Sequence, residues 1–496
     1  MIIGTLGSSA RARVTAGGVI ELQNGVTLSW WVGAEDRWHR PAEEITVRQS
    51  LVADAPVPRI AVRVPGGDVV TTITAVQQGQ RELAVIDVAN QSAVPVALAF
   101  VVSGAAARDI TVDRSIVRVA GRPVLYLPRA PQFSVGASSQ QGLISALSSG
   151  SSGEWPADAT HVAVMLPITH RTTLRAAGLL AASGAAALAA SPVLSALPDA
   201  EAVGRGWAVQ VGRAPSIEGD GVRDASLRSL AAALLLEADA FPIDAPTVDI
   251  ASLSALARGC SRMGLNTEAE KLLRVLDDLQ SLRGSLGPAD QPQVTALAVA
   301  AVVDHALLSG NQAFAASLAP VVAGALEYLQ KRTSTDRSVF GAAARFFTSI
   351  QESGAARAAK REWVKAGSPW PLPRAPLPPL PALSQGASLL PDDVVRLSDE
   401  ALDVVGSLAL DDADGALVLL GGMRAEDLLG LNLAVHRVPT PSGPLSFAIR
   451  WHGERPALLW DLGSIEGAAL TVPSLAPGMV VPASQRGEVL LAGPRR

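Results

Sequence analysis

The stretch from Val19 to Trp30 reads Val-Ile-Glu-Leu-Gln-Asn-Gly-Val-Thr-Leu-Ser-Trp and decides the fold of the N-terminal part. Two apolar runs, residues 19–22 and 26–30, flank a turn that contains Asn24-Gly25. An Asn-Gly pair between such runs favours a β-hairpin, because both residues readily adopt a positive φ. We therefore predict antiparallel strands on either side of this turn.

Strand-like runs continue from this hairpin to about residue 180 and have no helical segments between them. Each is bounded by Pro, Gly, Asn or Asp; they cover residues 44–51, 58–64, 69–76, 82–88, 94–102, 116–119, 124–127 and 161–166. Strands at this spacing predict antiparallel sheets packed as a β-sandwich. Residues 134–154 are rich in Ser, Gly and Gln, so we expect a mobile loop there.

The period of the apolar residues changes from two to about 3.6 near residue 220. Helices are predicted over Ser226–Ala240, Ile250–Met263 and Pro292–Leu308, the last of which is apolar all round and therefore expected to be buried. A capping-box match at Thr267–Glu270 opens a further helix, whose predicted apolar face runs from Leu272 to Leu282. Short turns join these helices, which is typical of an α-hairpin array.

Four segments follow from these patterns, and together they predict a multidomain α+β protein. Residues 1–215 form the antiparallel β-sandwich and 216–366 the α-hairpin domain. Residues 367–389 are Pro-rich and should form an extended linker, with recognition by a proline-binding partner as the alternative. Residues 390–496 form a small, mainly β domain.

Composition narrows the classes of function. The 496 residues include 41 Lys+Arg and 46 Asp+Glu, and the net charge of −5 argues against a general nucleic-acid binder. The single cysteine, Cys260, excludes an intramolecular disulfide and a Cys-rich metal site. We expect no cofactor, since the sequence has no P-loop, no His-x-x-x-His pair and no Gly-x-Ser-x-Gly elbow.

Two observations bear on location. The start, Met1 to Arg11, has no long apolar core behind a basic end, so no secretory signal is expected. The uncharged run Ala176–Leu197 is mostly Ala, Gly and Ser with Pro192 inside, which favours a buried or loosely ordered segment over a membrane span. We therefore expect a cytoplasmic protein that does not contact membranes.

Two polar-aromatic clusters are candidates for binding a ligand. The first contains Trp31, Glu35, Asp36, Arg37, Trp38 and His39, and the second contains Arg450, Trp451 and His452. Indole faces beside carboxylates and guanidinium groups suit sugar rings, which have apolar C–H faces and polar hydroxyls. The alternative for the first cluster is a strand end with buried tryptophans and local ion pairs, and for the second a compact turn.

A pair of carboxyl groups is the requirement for hydrolysing a glycosidic bond, with a separation of about 5–5.5 Å for retention and about 6.5–9.5 Å for inversion. Asp249 and Asp290 are the candidates, since each precedes a helix predicted to be an inner one. The alternative is that both are helix N-caps. Asp304 and His305 lie in a predicted buried helix and are expected to form a satisfied core pair.

The order of the parts resembles six-hairpin glycosidase-like proteins of the glycogen-debranching and glucoamylase types, including actinobacterial relatives of those enzymes. The motifs that carry the resemblance are Gly33–His39, Val64–Gly67, Asn90–Val96, Asp249–Leu256, Gly264–Glu270 and Leu297–Phe314. The resemblance implies that the helical hairpins form a partial α/α toroid and that the ligand is a carbohydrate.

Two hypotheses about function follow from this resemblance. In the first, the chain is an inverting glycoside hydrolase acting on an α-glucan or another oligosaccharide, with Asp249 and Asp290 at its cleft. In the second, it is a non-catalytic scaffold of the same architecture that binds a saccharide or a protein. The truncated helical array and the low aromatic content, 4%, favour the second, because a sugar cleft normally needs stacking surface, whereas the family resemblance favours the first.

Overall fold

The computed structural model describes residues 1–53, 55–150, 155–182, 192–332, 338–365, 394–411, 416–463, 469–482 and 484–492. These residues fall into two compact units, one ending at Gln210 and the other beginning at Val211. The chain is of mixed α+β class, with antiparallel sheets in the N-terminal part and a helical region after them. The predicted linker at 367–389 lies outside the described residues. The domain boundaries remain predictions.

The first unit is built from two antiparallel sheets of eight strands each. The strands are β1 (Ile2–Gly4), β2 (Arg11–Val14), β3 (Ile20–Leu22), β4 (Thr27–Gly33), β5 (Trp38–His39), β6 (Arg48–Leu51), β7 (Pro58–Val64), β8 (Gly67–Gln78), β9 (Arg81–Asn90), β10 (Val96–Ser103), β11 (Ile110–Asp113), β12 (Ile116–Val119), β13 (Arg122–Tyr126), β14 (Phe133–Ala137), β15 (His161–Ile168) and β16 (Thr173–Ala182). The first sheet has the order β1-β2-β3-β4-β10-β15-β14, with β5 paired to β4, and the second has the order β11-β12-β13-β16-β9-β8-β7-β6.

A shared apolar core joins the inner faces of the two sheets. Trp30 and Leu98 of the first sheet belong to the same buried cluster as Ile60, Ile73 and Ile86 of the second. Successive side chains of a strand point to opposite faces, so this core uses every second residue. The predicted Asn24-Gly25 hairpin is present: Gly25 has φ +78° and the Asn24 side chain accepts a hydrogen bond from the backbone N–H of Val26 at 3.1 Å.

Asn90 ties together two of the crossings between the sheets, from β9 to β10 and from β15 to β16. Its side-chain Nδ2 donates to the carbonyls of Val94, Ile168 and Thr169 at 2.8, 3.4 and 3.3 Å. Its Oδ1 accepts from the backbone N–H and the hydroxyl of Ser92 at 3.0 and 2.7 Å. Because a buried amide must be hydrogen-bonded, this motif of the family resemblance has a structural role here.

The outer faces of both sheets are covered by helices that the sequence did not predict. Helix α1 (Gln140–Ser149) lies where a mobile loop was expected, and its Leu143 and Leu147 are buried against the first sheet. The expectation failed because the serines indicated a loop, whereas three of their hydroxyls donate to carbonyls of the helix itself. Helix α2 (Ala200–Val211) follows the short 3-10 turn Leu194–Ala196 and contacts the second sheet through Val203.

The uncharged run Ala176–Leu197, considered above as a membrane span, begins inside strand β16 rather than in a helix. Its residues 183–191 lie outside the described part of the chain.

The second unit contains the predicted helical region. Its helices are α3 (Gly221–Ala240), α4 (Ile250–Arg262), α5 (Asn266–Arg274), α6 (Leu276–Leu279), α7 (Pro292–Ser309), α8 (Gln312–Ser317), α9 (Ala319–Gln330), α10 (Ser338–Ser349), α11 (Ser353–Lys365), α12 (Val394–Leu408) and α13 (Ala425–Leu428). Helix α4 packs against α7 and α12, and α10 packs against α7 and α11. Helix α7 is long and apolar enough to cross a membrane by length and composition alone, but 56% of that stretch is buried, as in a core helix.

The capping-box prediction is wrong. The N-cap of α5 is Leu265, which makes no side-chain capping bond, and Thr267 lies inside the helix. The predicted apolar face also ends early: Leu272 and Leu276 are buried, but α6 stops at Leu279 and Leu282 is fully exposed.

The C-terminal strands form two further sheets in the same unit as the helices. The strands are β17 (Ser216–Glu218), β18 (Ala409–Asp411), β19 (Ala416–Leu419), β20 (Leu433–Val438), β21 (Leu445–His452), β22 (Arg455–Leu462), β23 (Ala469–Thr471), β24 (Val481–Pro482) and β25 (Arg486–Leu490). One sheet has the order β17-β20-β21-β22-β25, and the other, β18-β19-β23-β24, contains the parallel pair β19 and β23. Strand β17 precedes the helices in the chain, so this sheet brackets the helical region in sequence.

Candidate functional site

The tryptophans of the N-terminal cluster are packing residues in this structure. Trp30 points into the sandwich core, whereas Trp31 points to the opposite face of β4 and is buried with Leu143 and Leu147 of α1. Trp38 is partly buried against the same small core. A buried indole has no face free for a sugar ring, so Trp31 cannot stack on a ligand without movement of α1.

The charged residues of this cluster form a compact ion-pair network around His39. The buried ring has its Nε2 3.0 Å from Asp36 Oδ1 and its Nδ1 3.2 Å from Glu44 Oε1. Arg37 donates to both oxygens of Glu44, at 2.6 and 3.1 Å. A neutral imidazole has only one N–H, so the imidazolium is the form that donates to both carboxylates.

This network lowers the pKa of two carboxyl groups, those of Glu44 and Asp36. The bond from Arg37 is the main cause that lowers the pKa of Glu44, and the bond to His39 lowers the pKa of Asp36. Both groups therefore stay ionised at neutral pH and neither is suited to act as a general acid. Glu35 is exposed and makes no hydrogen bond within the described residues.

Arg40 extends the network toward α1. It pairs with Glu43, donates to the side chain of Gln140 at 2.8 Å, and lies 5.8 Å from the ring centre of Trp31. The segment that follows β4 is thus attached to α1 by charge as well as by packing.

The C-terminal cluster lies at the tip of a β-hairpin. His452 pairs with Arg455 across the turn, in which Gly453 has φ +65°. Arg450 and His452 are exposed and, being two residues apart in β21, lie on one face of the strand. Trp451 lies on the other face and is half-buried, with its backbone N–H donating to Asn432 Oδ1 at 2.9 Å.

The carboxylate of Asp249 caps helix α4. Its Oδ1 accepts from the backbone N–H groups of Ala251 and Ser252 at 3.0 and 3.2 Å, and its Oδ2 accepts from the Ser252 hydroxyl at 2.6 Å. The Ser252 hydroxyl is the main cause that lowers the pKa of Asp249. The N-cap alternative therefore accounts for the position of this residue.

Asp290 differs from Asp249. It is exposed, and the N-cap of α7 is the next residue, Gln291, with Pro292 as the first residue of the helix. Asp290 makes no hydrogen bond or ion pair within the described part of the chain, so its carboxylate has no structural role there.

The predicted core pair, Asp304 and His305, takes part in two separate interactions. Asp304 accepts from Arg258 Nε at 2.9 Å and from Arg262 at 3.4 Å. The buried His305 has its Nδ1 3.1 Å from the Ser261 hydroxyl and its Nε2 3.6 Å from Glu270. Burial is the main cause that lowers the pKa of His305. These side chains do not pair with each other, because consecutive residues of a helix point about 100° apart.

The sequence did not predict one carboxyl group whose pKa is raised, as that of a general acid must be. Glu400 of α12 is half-buried, and its burial raises its pKa, with the nearby Asp403 acting in the same direction and Arg396 opposing it. A carboxylate among the apolar positions of 394–408 was the available signal. Cys260 is fully buried, which raises the pKa of its thiol and makes it unsuited to nucleophilic attack.

Within the described ranges, no group of three or more His, Cys, Asp or Glu residues could hold a metal ion.

Comparison with known proteins gives likeness at the level of structure alone. No protein-family model matches the chain. No curated protein matches it either. A bacterial glucoamylase solved in complex with acarbose matches 73% of this chain with a TM-score of 0.46 and 9% identity. A polysaccharide lyase matches 73% of the chain with a TM-score of 0.21 and 10% identity. The matched region spans 65% of the length of the glucoamylase and 72% of that of the lyase.

Proposed function

We propose that this chain binds a neutral saccharide, such as an α-glucan or another oligosaccharide, and does not hydrolyse it. The observation that carries this proposal is the state of Asp249. Its carboxylate accepts three hydrogen bonds as a helix cap, which engages both of its oxygens, and its lowered pKa does not suit the general acid of a glycosidase. Inverting hydrolysis with Asp249 as the general acid is therefore the weaker of the two hypotheses.

The saccharide class follows from the order of the parts. An antiparallel sandwich, a helical region and a C-terminal β region occur in that order, as in the family resemblance given above. We propose that the helical hairpins form a partial α/α toroid of the six-hairpin glycosidase-like kind.

The tip of the hairpin β21–β22 is the proposed binding surface. Arg450 and His452 are exposed on one face of β21 and can donate hydrogen bonds to sugar hydroxyls. Their side chains make no hydrogen bond or ion pair with other residues in the described ranges. In contrast, the charged side chains around His39 already bind one another, so the N-terminal cluster would have to break ion pairs before binding a ligand.

The test is calorimetric titration with maltooligosaccharides and a soluble α-glucan. We expect the double variant Arg450→Ala/His452→Ala to bind about tenfold more weakly, because each lost hydrogen bond costs about 0.5–1.5 kcal/mol. Arg283→Ala is the matched control, since Arg283 is an exposed arginine of the same unit without a described partner. Equal affinities for the double variant and the control would contradict the proposed surface.

A further inference from the structure

Helix α11, Ser353–Lys365, is strongly basic in an acidic chain. It carries Arg357, Lys360, Arg361 and Lys365 against the single acid Glu362, so its charge is four minus one, or +3, whereas the whole chain has a net charge of −5. The chain contains only four lysines, and two of them lie in this helix. The helix is therefore a local excess of positive charge in an acidic chain.

The four cations share the exposed face of the helix. All four are exposed, as is Val364 between them, while Ala359 on the opposite face is buried. Glu362 accepts a hydrogen bond from Lys365 at 2.5 Å, and its side chain is 18% exposed. Since a helix rises about 1.5 Å per residue, Arg357, Arg361 and Lys365 form a row with a repeat of about 6 Å.

This arrangement opposes helix stability. Arg357 and Arg361, and Arg361 and Lys365, are like-charged pairs four residues apart, and such pairs destabilise a helix. A face that serves only solubility typically alternates positive and negative charges. Lys360 and Arg361 form no ion pair within the described part of the chain. Glu362 neutralises Lys365 alone, so no anion of the described residues neutralises Lys360 and Arg361.

The chemistry of the face distinguishes between classes of anion. A membrane surface needs an apolar stripe to insert, and Val364 is the one exposed large apolar side chain of α11. Single-stranded nucleic acid needs exposed aromatic rings for stacking, and Trp363 is half-buried. A protein partner needs apolar or aromatic anchors at the centre of its interface. A regular row of cations without such groups suits a flexible polymer with regularly spaced carboxylates.

We propose that the exposed face of α11 is a second binding surface, which takes an acidic polysaccharide through ion pairs of its carboxylates with Arg357, Lys360 and Arg361. The choice of a polysaccharide among polyanions rests on the proposed saccharide function. The surface is distinct from the hairpin tip, so the two sites can be tested independently.

The experiment compares binding of the full chain to polygalacturonate and to a neutral α-glucan at low and at physiological salt. The test variant is Lys360→Gln/Arg361→Gln, because glutamine keeps the helix propensity of both residues. The matched control is Arg283→Gln/Lys331→Gln, which removes the same charge from exposed positions of the same unit. Circular dichroism of each variant checks that the helices are retained.

We expect wild type to bind polygalacturonate with an affinity that falls as salt rises, because ion pairing releases counterions. The test variant should bind it about tenfold more weakly at low salt, with a shallower salt dependence, while the control binds as wild type does. Binding of the neutral glucan should be the same in all three proteins.

Three results would overturn this inference: no binding of polygalacturonate by wild type, equal losses in the test and control variants, or tighter binding of phosphatidylserine vesicles or duplex DNA than of polygalacturonate. If wild type binds the neutral glucan but not polygalacturonate, this inference is wrong and the proposed function still holds. Binding of polygalacturonate without any neutral glucan would instead contradict the proposed function.

Discussion

At the scale of residues, the position and the hydrogen bonds of the Asp249 carboxylate are explained by its role as a helix cap. It precedes Ile250, the first residue of α4, and both of its oxygens accept hydrogen bonds from residues of the first turn. The first N–H groups of a helix have no partner within the helix, so a side chain that accepts from them stabilises it.

Replacing this cap separates its structural role from any catalytic one. We expect Asp249→Ala to lower the free energy of unfolding by about 1 kcal/mol, whereas Asp249→Asn should lower it by less, since Asn is an equally good cap and only the charge is lost. Chemical unfolding of the full chain at neutral pH measures both values. Equal losses in the two variants would contradict a capping role.

The charge of Asp249 adds a pH dependence with a defined sign. Its pKa is lowered in the folded chain, mainly by the Ser252 hydroxyl, so its charge stabilises the fold above the pKa of the unfolded carboxyl. That contribution is lost as the pH falls through the folded value, and Asp249→Asn should lack this part of the acid destabilisation. Unfolding of wild type and Asp249→Asn over the acid range tests the sign.

Single residues were predictable where local chemistry decided their role. The cap at Asp249 was one of two alternatives, because Asp before a helix is common there. Asp290 was not resolved in the same way, since the helix begins one residue later than its position suggested. Glu400 was missed because its raised pKa arises mainly from burial, which the local sequence does not indicate.

At the scale of elements, Gly284 allows the turn before α7 to contact the backbone of helix α9. Gly284 has φ +85°, and a Cβ atom at this position would lie 2.1 Å from the carbonyl oxygen of Gly324 in α9. The side chain of Gln280 reinforces the contact by donating to the carbonyls of Gly284 and Val321, at 3.2 and 2.8 Å. The turn before α7 is thus held directly on the backbone of α9.

We expect Gly284→Ala to lower the free energy of unfolding by about 3 kcal/mol or more, through backbone strain and displacement of the turn from α9. Gly310→Ala is the matched control, because Gly310 has φ +67° but nothing within 4 Å of an added Cβ. Gly310→Ala should lower the free energy of unfolding by the backbone strain alone, about 1–2 kcal/mol. Urea unfolding of both variants measures the difference, and equal costs would show that the contact with Gly324 contributes nothing.

Elements were predicted well where a strong local signal coincided with the fold. The Asn24-Gly25 hairpin and the helix beginning at Ile250 have turn or cap chemistry in the sequence itself. Helix α1 was missed because its serines resemble a loop, although the spacing of Leu143 and Leu147 was a usable helical signal. The capping-box motif at Thr267 misplaced the start of α5 because the same letters also occur inside helices.

At the scale of the whole molecule, long-range pairing decides the organisation. Ile217 pairs with Val435, so a strand that precedes the helices is part of a sheet formed by the C-terminal region. Gly259 of α4 approaches Ser398 of α12, where an added Cβ would lie 3.1 Å from the Ser398 Cα atom. Neither contact has a local signal, and the sequence therefore did not predict them.

The central claim, that this chain binds a saccharide without hydrolysing it, is tested most directly by one assay on wild type. The full chain is incubated with a panel of maltooligosaccharides, and bound ligand and released reducing ends are measured in the same samples. We predict saturable binding with no increase in reducing ends over the buffer blank. Release of reducing ends by wild type that is abolished by Asp290→Asn would contradict it, and so would the absence of any binding.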